Sequence, residues 1–271
     1  MRYGMLTTNF GEFGEARDLA DLAAEAETSG WDGFFLWDHI QFPGLEPAAD
    51  PWVALGAMAM RTERLRLGTL VTPTGRRRIA KLAREVITLD RLSGGRAVLG
   101  VGLGYIALPE FANFGDETDP RTRGEMLDEG LELLSKLMAG EPVKHQGTHY
   151  QVETTGFAPS VQQPRVPIWV AGGWPGKKPF RRAAQWDGVV PMSKRAMEGH
   201  TIEPEELAKL VDYVSDHRSG TGPYDVIQLG VSDGPPIREF ADAGATWWMA
   251  CAAPGDTVEQ IRERLRNGPP H

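Results

Sequence analysis

Residues 65–104 read LRLGTLVTPTGRRRIAKLAREVITLDRLSGGRAVLGVGLG, and this stretch decides the fold. Apolar runs over 65–72 and 97–104 each predict a strand. Between the two runs, four apolar residues fall at helical spacing and predict a helix: Ile79, Leu82, Ala83 and Val86. Parallel strands need a crossover connection, most often a helix, so this stretch predicts one strand–helix–strand unit of a parallel sheet.

The same alternation extends in both directions along the chain. Further apolar runs, each followed by a segment of helical spacing, predict strands over 3–8, 33–37, 168–171, 188–192, 226–231 and 246–250. Eight such units in 271 residues favour a closed (β/α)8 TIM barrel, with an open, doubly wound sheet as the alternative. The polar stretch 141–167, with a hairpin predicted over 145–152, indicates a short insertion between the fourth helix and the fifth strand. We therefore expect one barrel domain over 1–271.

Composition excludes several classes of protein. Hydrophobic residues make up 41% and charged residues 24%, which is typical of a folded globular chain. The net charge of -8 argues against nucleic acid or an anionic membrane as the main partner, because both require a cationic surface. Cys251 is the single cysteine, which fits a reducing compartment. No apolar run approaches the ~18 residues of a membrane span or forms a signal sequence. We expect a cytoplasmic protein.

In a barrel of this type the chemistry lies at the carboxyl ends of the strands. Asp38 and His39 directly follow the second strand, where they could bind a polar ligand or move a proton. The alternative is an aspartate that caps a turn beside a solvated histidine. Gly100, Gly102 and Gly104 end the fourth strand, and such glycines would let a flat ring lie close to the backbone.

Two basic clusters also follow predicted strands. The first, residues 76–78 (RRR), is typical of a solvated loop, with phosphate binding as the alternative. The second follows Gly172 and Gly173, where four cations stand near the start of a helix: Lys177, Lys178, Arg181 and Arg182. Cations there oppose the helix dipole, and an anionic ligand on the free N–H groups would resolve the conflict. We expect a phosphate site, with lysines that merely face water as the alternative.

Other catalytic signatures are absent from the sequence. The histidines lack H-E-x-x-H spacing, one cysteine cannot build a structural zinc site, and neither a G-x-S-x-G elbow nor a Walker loop occurs. Metal hydrolase, serine hydrolase and ATPase functions are therefore disfavoured.

Three stretches carry a family resemblance: RLGTL…GLGY (66–105), GWDGFFLWDHI (30–40) and PIWVAGGWPGKKPFRRAAQWDGVVP (167–191). Together they resemble the bacterial luciferase-like flavin-dependent monooxygenases and oxidoreductases, essentially over the whole chain. The resemblance implies a TIM barrel that uses FMN or the deazaflavin coenzyme F-420 to oxygenate or reduce a small organic molecule. It also implies a homodimer and, for the FMN form, a flavin reductase as the supplier of reduced cofactor.

The resemblance assigns the cofactor contacts. Leu70 and Val71 would form a backbone bulge behind the flavin ring, often with a non-prolyl cis peptide in this family, and the glycines Gly102 and Gly104 would lie near the ring. The resemblance places the phosphate after strand five, on the backbone of Gly172, Gly173 and Trp174, and Lys177 of the second basic cluster is the cation expected beside it.

The resemblance also suggests the proton-transfer groups. Asp38 and His39 match an Asp-His pair of the deazaflavin members, so His39 is the first candidate for the proton relay and Tyr105 the second. Tyr105 stands where the deazaflavin sugar-phosphate dehydrogenases carry a glutamate, which makes oxidation of that substrate class doubtful here. Five residues fall at the opposite end of the barrel and are interpreted as structural: Asp90, Ser93, Gly94, Gly95 and Arg96. A flavin-binding barrel without turnover and a cofactor-free isomerase or lyase remain the alternatives.

Overall fold

A computed structural model describes residues 1–42, 44, 48–105, 108–195, 200–230, 234–253 and 255–270. Eight parallel strands close into a barrel: β1 (Arg2–Thr7), β2 (Gly33–Leu36), β3 (Arg66–Pro73), β4 (Ala97–Gly102), β7 (Ile168–Trp174), β8 (Gly188–Ser193), β9 (Asp225–Gly230) and β10 (Trp247–Cys251). Going round the barrel, their order is β1-β10-β9-β8-β7-β4-β3-β2. The predicted closed barrel is confirmed. The predicted end of the seventh barrel strand, at residue 231, lies outside the described residues.

Helices cover the outside of the barrel. Their bounds are α1 (Ala16–Thr28), α2 (Pro51–Arg61), α3 (Ile79–Ser93), α4 (Glu110–Asn113), α5 (Pro120–Ala139), α6 (Lys177–Ala183), α7 (Pro204–Ser215), α8 (Ile237–Asp242) and α9 (Val258–Arg266). Proline opens α2, α5 and α7, where its missing N–H leaves no helical bond unmade. The short helix α4 was not predicted from the sequence.

The predicted insertion is a two-stranded antiparallel hairpin, β5 (Val143–Gln146) and β6 (Gln151–Thr154). Glu129 of α5 fixes it, because its carboxylate accepts bonds from the backbone N–H groups of His149 and Tyr150 at 3.0 and 2.9 Å. The same carboxylate lies 2.8 Å from Nε2 of His145.

The barrel interior is filled by apolar side chains, among them Phe35, Trp169 and Trp247. Asp225 closes the amino-terminal end, where it pairs with Arg2 and accepts a bond from Trp169 Nε1 at 3.1 Å. At the same end, the buried Arg96 guanidinium donates to four backbone carbonyls, those of Ala59, Thr62, Leu65 and Ser93. These contacts agree with a structural role for residues 90–96. Within the described residues, no helix is both long enough and apolar enough to span a membrane.

Candidate active site at the barrel mouth

The carboxyl ends of the parallel strands bring the predicted site residues to one rim of the barrel. Asp38 and His39 follow β2, Val71 lies near the end of β3, Gly104 follows β4 and Gly173 lies near the end of β7. Just inside this rim, five partly buried side chains pack on the interior cluster: Trp37, Val71, Ala171, Leu229 and Cys251. The mouth of the barrel therefore has an apolar floor.

β3 carries the predicted irregularity. Its register with β4 shifts between Thr69 and Thr72, and the peptide bond between Leu70 and Val71 is cis. The bulge and the non-prolyl cis peptide that the resemblance implied are both present. Contact of these residues with a flavin stays a prediction.

Asp38 is buried and fully engaged. Its carboxylate accepts hydrogen bonds from Thr72 Oγ1 at 2.7 Å, Trp52 Nε1 at 3.3 Å and Arg77 Nη2 at 2.6 Å. Arg76 Nη2 lies 3.2 Å from the same carboxylate and also bonds the Asp38 backbone carbonyl. A buried carboxylate needs such partners to remain charged, so Asp38 anchors the end of β2 to the loop after β3.

The predicted solvated loop at residues 76–78 is therefore wrong for two of its three arginines. The Arg76 side chain is 2% exposed and that of Arg77 18% exposed, while Arg78 is exposed. Burial alone would lower the pKa of Arg77, but the adjacent Asp38 carboxylate raises it above its ordinary value. The alternative in which Asp38 only caps an exposed turn is wrong as well.

His39 is paired with a carboxylate from a distant part of the chain. Its Nδ1 lies 2.7 Å from Oε1 of Glu110, the first residue of α4. The other oxygen, Oε2, accepts a bond from the Ile40 backbone N–H at 3.1 Å. Arg76 Nη1 lies 2.9 Å from Oε2 as an ion pair, although its hydrogens are not aligned for a hydrogen bond. The alternative of a solvated His39 is not what the structure shows.

Glu110 remains ionised in this environment. Burial raises the pKa of its carboxyl, but the His39 hydrogen bond and the charges of His39 and Arg76 outweigh burial and hold the pKa below its ordinary value. An ionised carboxylate can only accept hydrogen bonds.

Aromatic rings form the rest of the His39 surroundings. Ring centroids of Trp37 and Phe42 lie 5.6 and 5.7 Å from the imidazole, both nearly edge-on, and Phe10 lies 6.5 Å behind Phe42. The His39 side chain is 18% exposed. Nε2 makes no hydrogen bond to any residue in the described ranges, so it is the polar atom of this ring left for a ligand.

The glycines after β4 are accounted for by protein packing. A Cβ on Gly102 would lie 2.9 Å from Val71 Cγ2, and one on Gly104 would lie 2.6 Å from the Phe111 ring. Gly104 also has a φ of 75°, which side chains rarely adopt. Close approach of a flavin ring to these glycines stays a prediction. Tyr105 is partly buried, and burial raises the pKa of its phenol.

Phosphate binding at the second basic cluster stays a prediction, and the structure shows where the lysines near it lie. The Lys177 ammonium lies over the rings of Trp174 and Tyr213, 4.2 and 4.1 Å from their centroids. Lys194, just after β8, lies instead along the glycine loop. Its Cγ is 3.0 Å from where a Gly173 Cβ would stand, and its Nζ is 3.2 Å from the corresponding point on Gly176.

Sequence reasoning missed two residues of this mouth, Glu110 and Lys194. Lys194 had a usable signal, since it follows the sixth predicted barrel strand at the carboxyl end. Glu110 had none, because it lies in a four-residue helix with no periodic pattern. Within the described part of the chain, no group of His, Cys, Asp and Glu side chains is arranged to hold a metal ion.

Comparison with known proteins identifies relatives of this architecture. Residues 1–199 match the family described as luciferase-like monooxygenase. An F420-dependent glucose-6-phosphate dehydrogenase from Kineococcus radiotolerans is 37% identical over 185 residues, which are 66% of this chain and 53% of that enzyme. The enzyme of the same name from Nakamurella multipartita is 37% identical over 95% of this chain and 85% of its own length. The chain thus spans about half the length of the first of these relatives.

Among solved structures, the coenzyme F420-dependent tetrahydromethanopterin reductase from Methanopyrus kandleri superposes with a TM-score of 0.76. It is 17% identical, and the match covers 98% of each chain. At that identity the superposition supports the shared fold alone.

Proposed function

The chain belongs to the luciferase-like monooxygenase family, and from that premise we propose that it is a flavin-dependent oxidoreductase acting on a small organic molecule. Coenzyme F-420 is the preferred cofactor and FMN the second candidate. The observation that carries the proposal is the environment of His39. A buried carboxylate holds its Nδ1, while its Nε2 has no partner among the described residues beside the apolar mouth. A flavin-binding barrel without turnover has no evident need for such a group.

The residues at the mouth fit a flavin or deazaflavin. The partly buried Val71 and Ala171 offer an apolar surface to a flat ring, and Lys194 offers a cation beside Gly173 to a phosphate. When bound, the cofactor would supply the electron or hydride chemistry. This assignment replaces Lys177 with Lys194 as the cation nearest the phosphate, because the Lys177 ammonium already lies between two aromatic rings.

The protein contributes a proton relay and orientation. His39 Nε2 would take a proton from, or return one to, an oxygen of the substrate. Tyr105, also at the rim, is the second candidate, and its raised pKa makes it a donor rather than a base at neutral pH. Asp38 would act through its arginine partners, because its own oxygens are occupied. The rings of Trp37 and Phe42 favour a substrate with a flat or apolar part.

Assembly as a homodimer is part of the proposal. α2 is apolar on its outer face as well as its inner one, with Val53 and Met60 68% and 69% exposed at a spacing of seven residues. Leu92 of α3, 44% exposed, adds to this face. Because a helix that is hydrophobic all round is normally covered, a second copy of this chain is the expected partner.

Three further parts complete the proposal. They are a single domain over 1–271, a cytoplasmic location and, with FMN, a separate flavin reductase as electron source. The lone Cys251 agrees with a reducing compartment.

The proposal is tested by titrating the purified protein with coenzyme F-420, FMN and riboflavin while following absorbance and melting temperature. A cofactor at 100 times its Kd stabilises the folded state by about 2.7 kcal/mol, so the melting shift is easily measured. Failure of both F-420 and FMN to raise the melting temperature would overturn the proposal and favour a cofactor-free enzyme. A bound flavin that is never oxidised or reduced with any acceptor would instead favour a barrel without turnover.

The phosphate position is tested by Gly173→Glu, which puts a carboxylate beside the expected phosphate. Affinity for FMN should fall by more than ~tenfold, equivalent to ~1.4 kcal/mol. Gly222→Glu is the matched control, since no atom lies within 4 Å of a Cβ at Gly222. Equal affinity of the wild type for FMN and riboflavin would show that no phosphate site exists at this loop.

A further inference from the structure

We propose that Glu110 is the positioning residue of the active site: it holds His39 in the tautomer that carries its proton on Nδ1, which leaves the Nε2 lone pair free at the barrel mouth. The proposal rests on the proposed function for its purpose, but the tautomer is a property of the protein alone.

Burial and contacts at both oxygens hold the carboxylate of Glu110 in place. Its side chain is 1% exposed, and each of its oxygens is engaged. Oε2 accepts a hydrogen bond from the Ile40 N–H and forms an ion pair with Arg76. Oε1 is therefore the oxygen that faces Nδ1 of His39, 2.7 Å away.

The proton on this contact must belong to the imidazole. Glu110 is an ionised carboxylate with a lowered pKa, so it has no proton to donate. Nδ1 must then be the donor. In a neutral imidazole only one nitrogen carries hydrogen, so Nε2 is the acceptor. The same reasoning excludes Glu110 as a proton donor to substrate, although it stands only five residues after Tyr105.

The neighbouring Asp38 cannot hold the His39 tautomer. Asp38 is adjacent to His39 in sequence, but its carboxylate is occupied by Thr72, Trp52 and Arg77, and Arg76 lies against it as well. The carboxylate that reaches His39 comes from 71 positions later in the chain. Arg76 contacts both Asp38 and Glu110.

Packing and a hydrogen bond hold the short helix α4 in place, as a positioning role requires. Phe111, next to Glu110, is 2% exposed and packs where a side chain on Gly104 would otherwise stand. The guanidinium of Arg123 lies 4.1 Å from the Phe111 ring centroid. Asn113 Nδ2 donates to Gln41 Oε1 at 2.9 Å, which joins the far end of α4 to the loop after β2.

Glu110→Gln is the decisive variant because it keeps the shape and reverses the hydrogen bond. The amide oxygen of Gln would stay with the Ile40 N–H donor and beside the Arg76 cation, which turns the NH2 group towards Nδ1. Nδ1 must then accept, and the His39 proton moves to Nε2. Loss of the correct tautomer with geometry intact reduces turnover by ~10²–10⁴-fold in enzymes that use an oriented histidine.

The experiment is ¹⁵N NMR of histidine-labelled, flavin-free protein above the pH of imidazole titration, with the His39 signals assigned by their loss in His39→Ala. Wild type should show hydrogen on Nδ1 of His39, and Glu110→Gln should show it on Nε2. His217 is an internal reference, because its Nδ1 faces the Tyr213 carbonyl at 2.8 Å and must carry hydrogen in every variant. Glu85→Gln is the matched control, since Glu85 belongs to the same charge cluster through Arg77 but does not touch His39.

A chemical probe gives a second readout. Diethyl pyrocarbonate modifies an unprotonated ring nitrogen, so His39 should react at Nε2 in wild type and more than ~tenfold more slowly in Glu110→Gln, relative to His217. Hydrogen on Nε2 of wild-type His39, or one tautomer shared by wild type and Glu110→Gln, would overturn the proposal. The wild-type spectrum decides the matter even if the variant does not fold. Absence of flavin binding, or full turnover in His39→Ala, would instead count against the proposed function and leave the tautomer result standing.

Discussion

Arg76→Met should destabilise the protein far more than the same substitution two residues later. The Arg76 guanidinium contacts two carboxylates, Asp38 and Glu110, and all three side chains are 1–2% exposed. Methionine is unbranched and of similar length, so it fills most of the space while removing the charge. What is lost is therefore chiefly the charge partner of two buried carboxylates.

The size of the stability loss depends on which partners each carboxylate retains in Arg76→Met. Removing one partner of a buried ion pair typically costs 3–5 kcal/mol, because the remaining charge is left uncompensated. Asp38 retains Arg77 and Thr72, and Glu110 retains His39 and the Ile40 N–H. We therefore expect a loss near the lower end, about 3 kcal/mol at pH 7.

The loss should also depend on pH. The pKa of Glu110 is lowered in the folded protein, so its contribution to stability is present above its ordinary pKa and disappears as pH falls through the folded value. Once Glu110 is protonated, Arg76 has one carboxylate fewer to compensate. The difference in stability between wild type and Arg76→Met should therefore shrink in acid.

Urea unfolding followed by circular dichroism and tryptophan fluorescence measures the free energy of unfolding and its midpoint. Arg78→Met is the control, and because Arg78 is exposed its effect should stay within about 0.5 kcal/mol. In a Glu110→Gln background, Arg76→Met should cost less than it does alone, since the two residues are coupled. A loss below ~1 kcal/mol, or equal losses in the two backgrounds, would refute the buried ion-pair interpretation.

Three further outcomes are expected. Gly104→Ala should lower stability by at least ~1–2 kcal/mol, because its φ is positive, whereas Gly222→Ala in open space should be nearly neutral in thermal unfolding. Burial raises the pKa of Glu129, but its hydrogen bonds hold the pKa below the ordinary value. The protection factors of the hairpin amides, which are corrected for the intrinsic pH dependence of exchange, should therefore fall as pH falls through the folded pKa, and should change less in Glu129→Gln. Lys194→Ala should weaken FMN binding but not riboflavin binding, while Lys177→Ala should lower stability by up to ~1 kcal/mol with FMN affinity little changed. If Lys177→Ala weakens FMN binding while Lys194→Ala lowers only the melting temperature, the phosphate assignment is wrong.

The fold was predictable because its signals are local and repeated. A helix such as α3 shows its buried stripe in the spacing of Ile79, Leu82 and Val86, and a strand such as β4 is a continuous apolar run. Each unit can thus be identified from a dozen residues, and eight units of one kind leave few architectures. α4 lacks any such signal, since four residues span about one helical turn.

The chemistry at the mouth was harder to predict because its partners are distant in sequence. Asp38, the arginines at 76–77 and Glu110 each resemble ordinary surface charges when considered singly, and together they form two carboxylates compensated by two guanidinium groups. They meet because β2, β3 and β4 are neighbours in the barrel, so the segments that follow these strands converge at one rim. Neighbouring strands therefore identify which charged loops can neutralise one another, but not which side chains pair. That choice depends on burial: Arg76 is enclosed while Arg78 is not, and enclosure is what requires each charge to have a partner. Because the buried Asp38 carboxylate is occupied by its own partners, His39 pairs with Glu110 and not with its sequence neighbour.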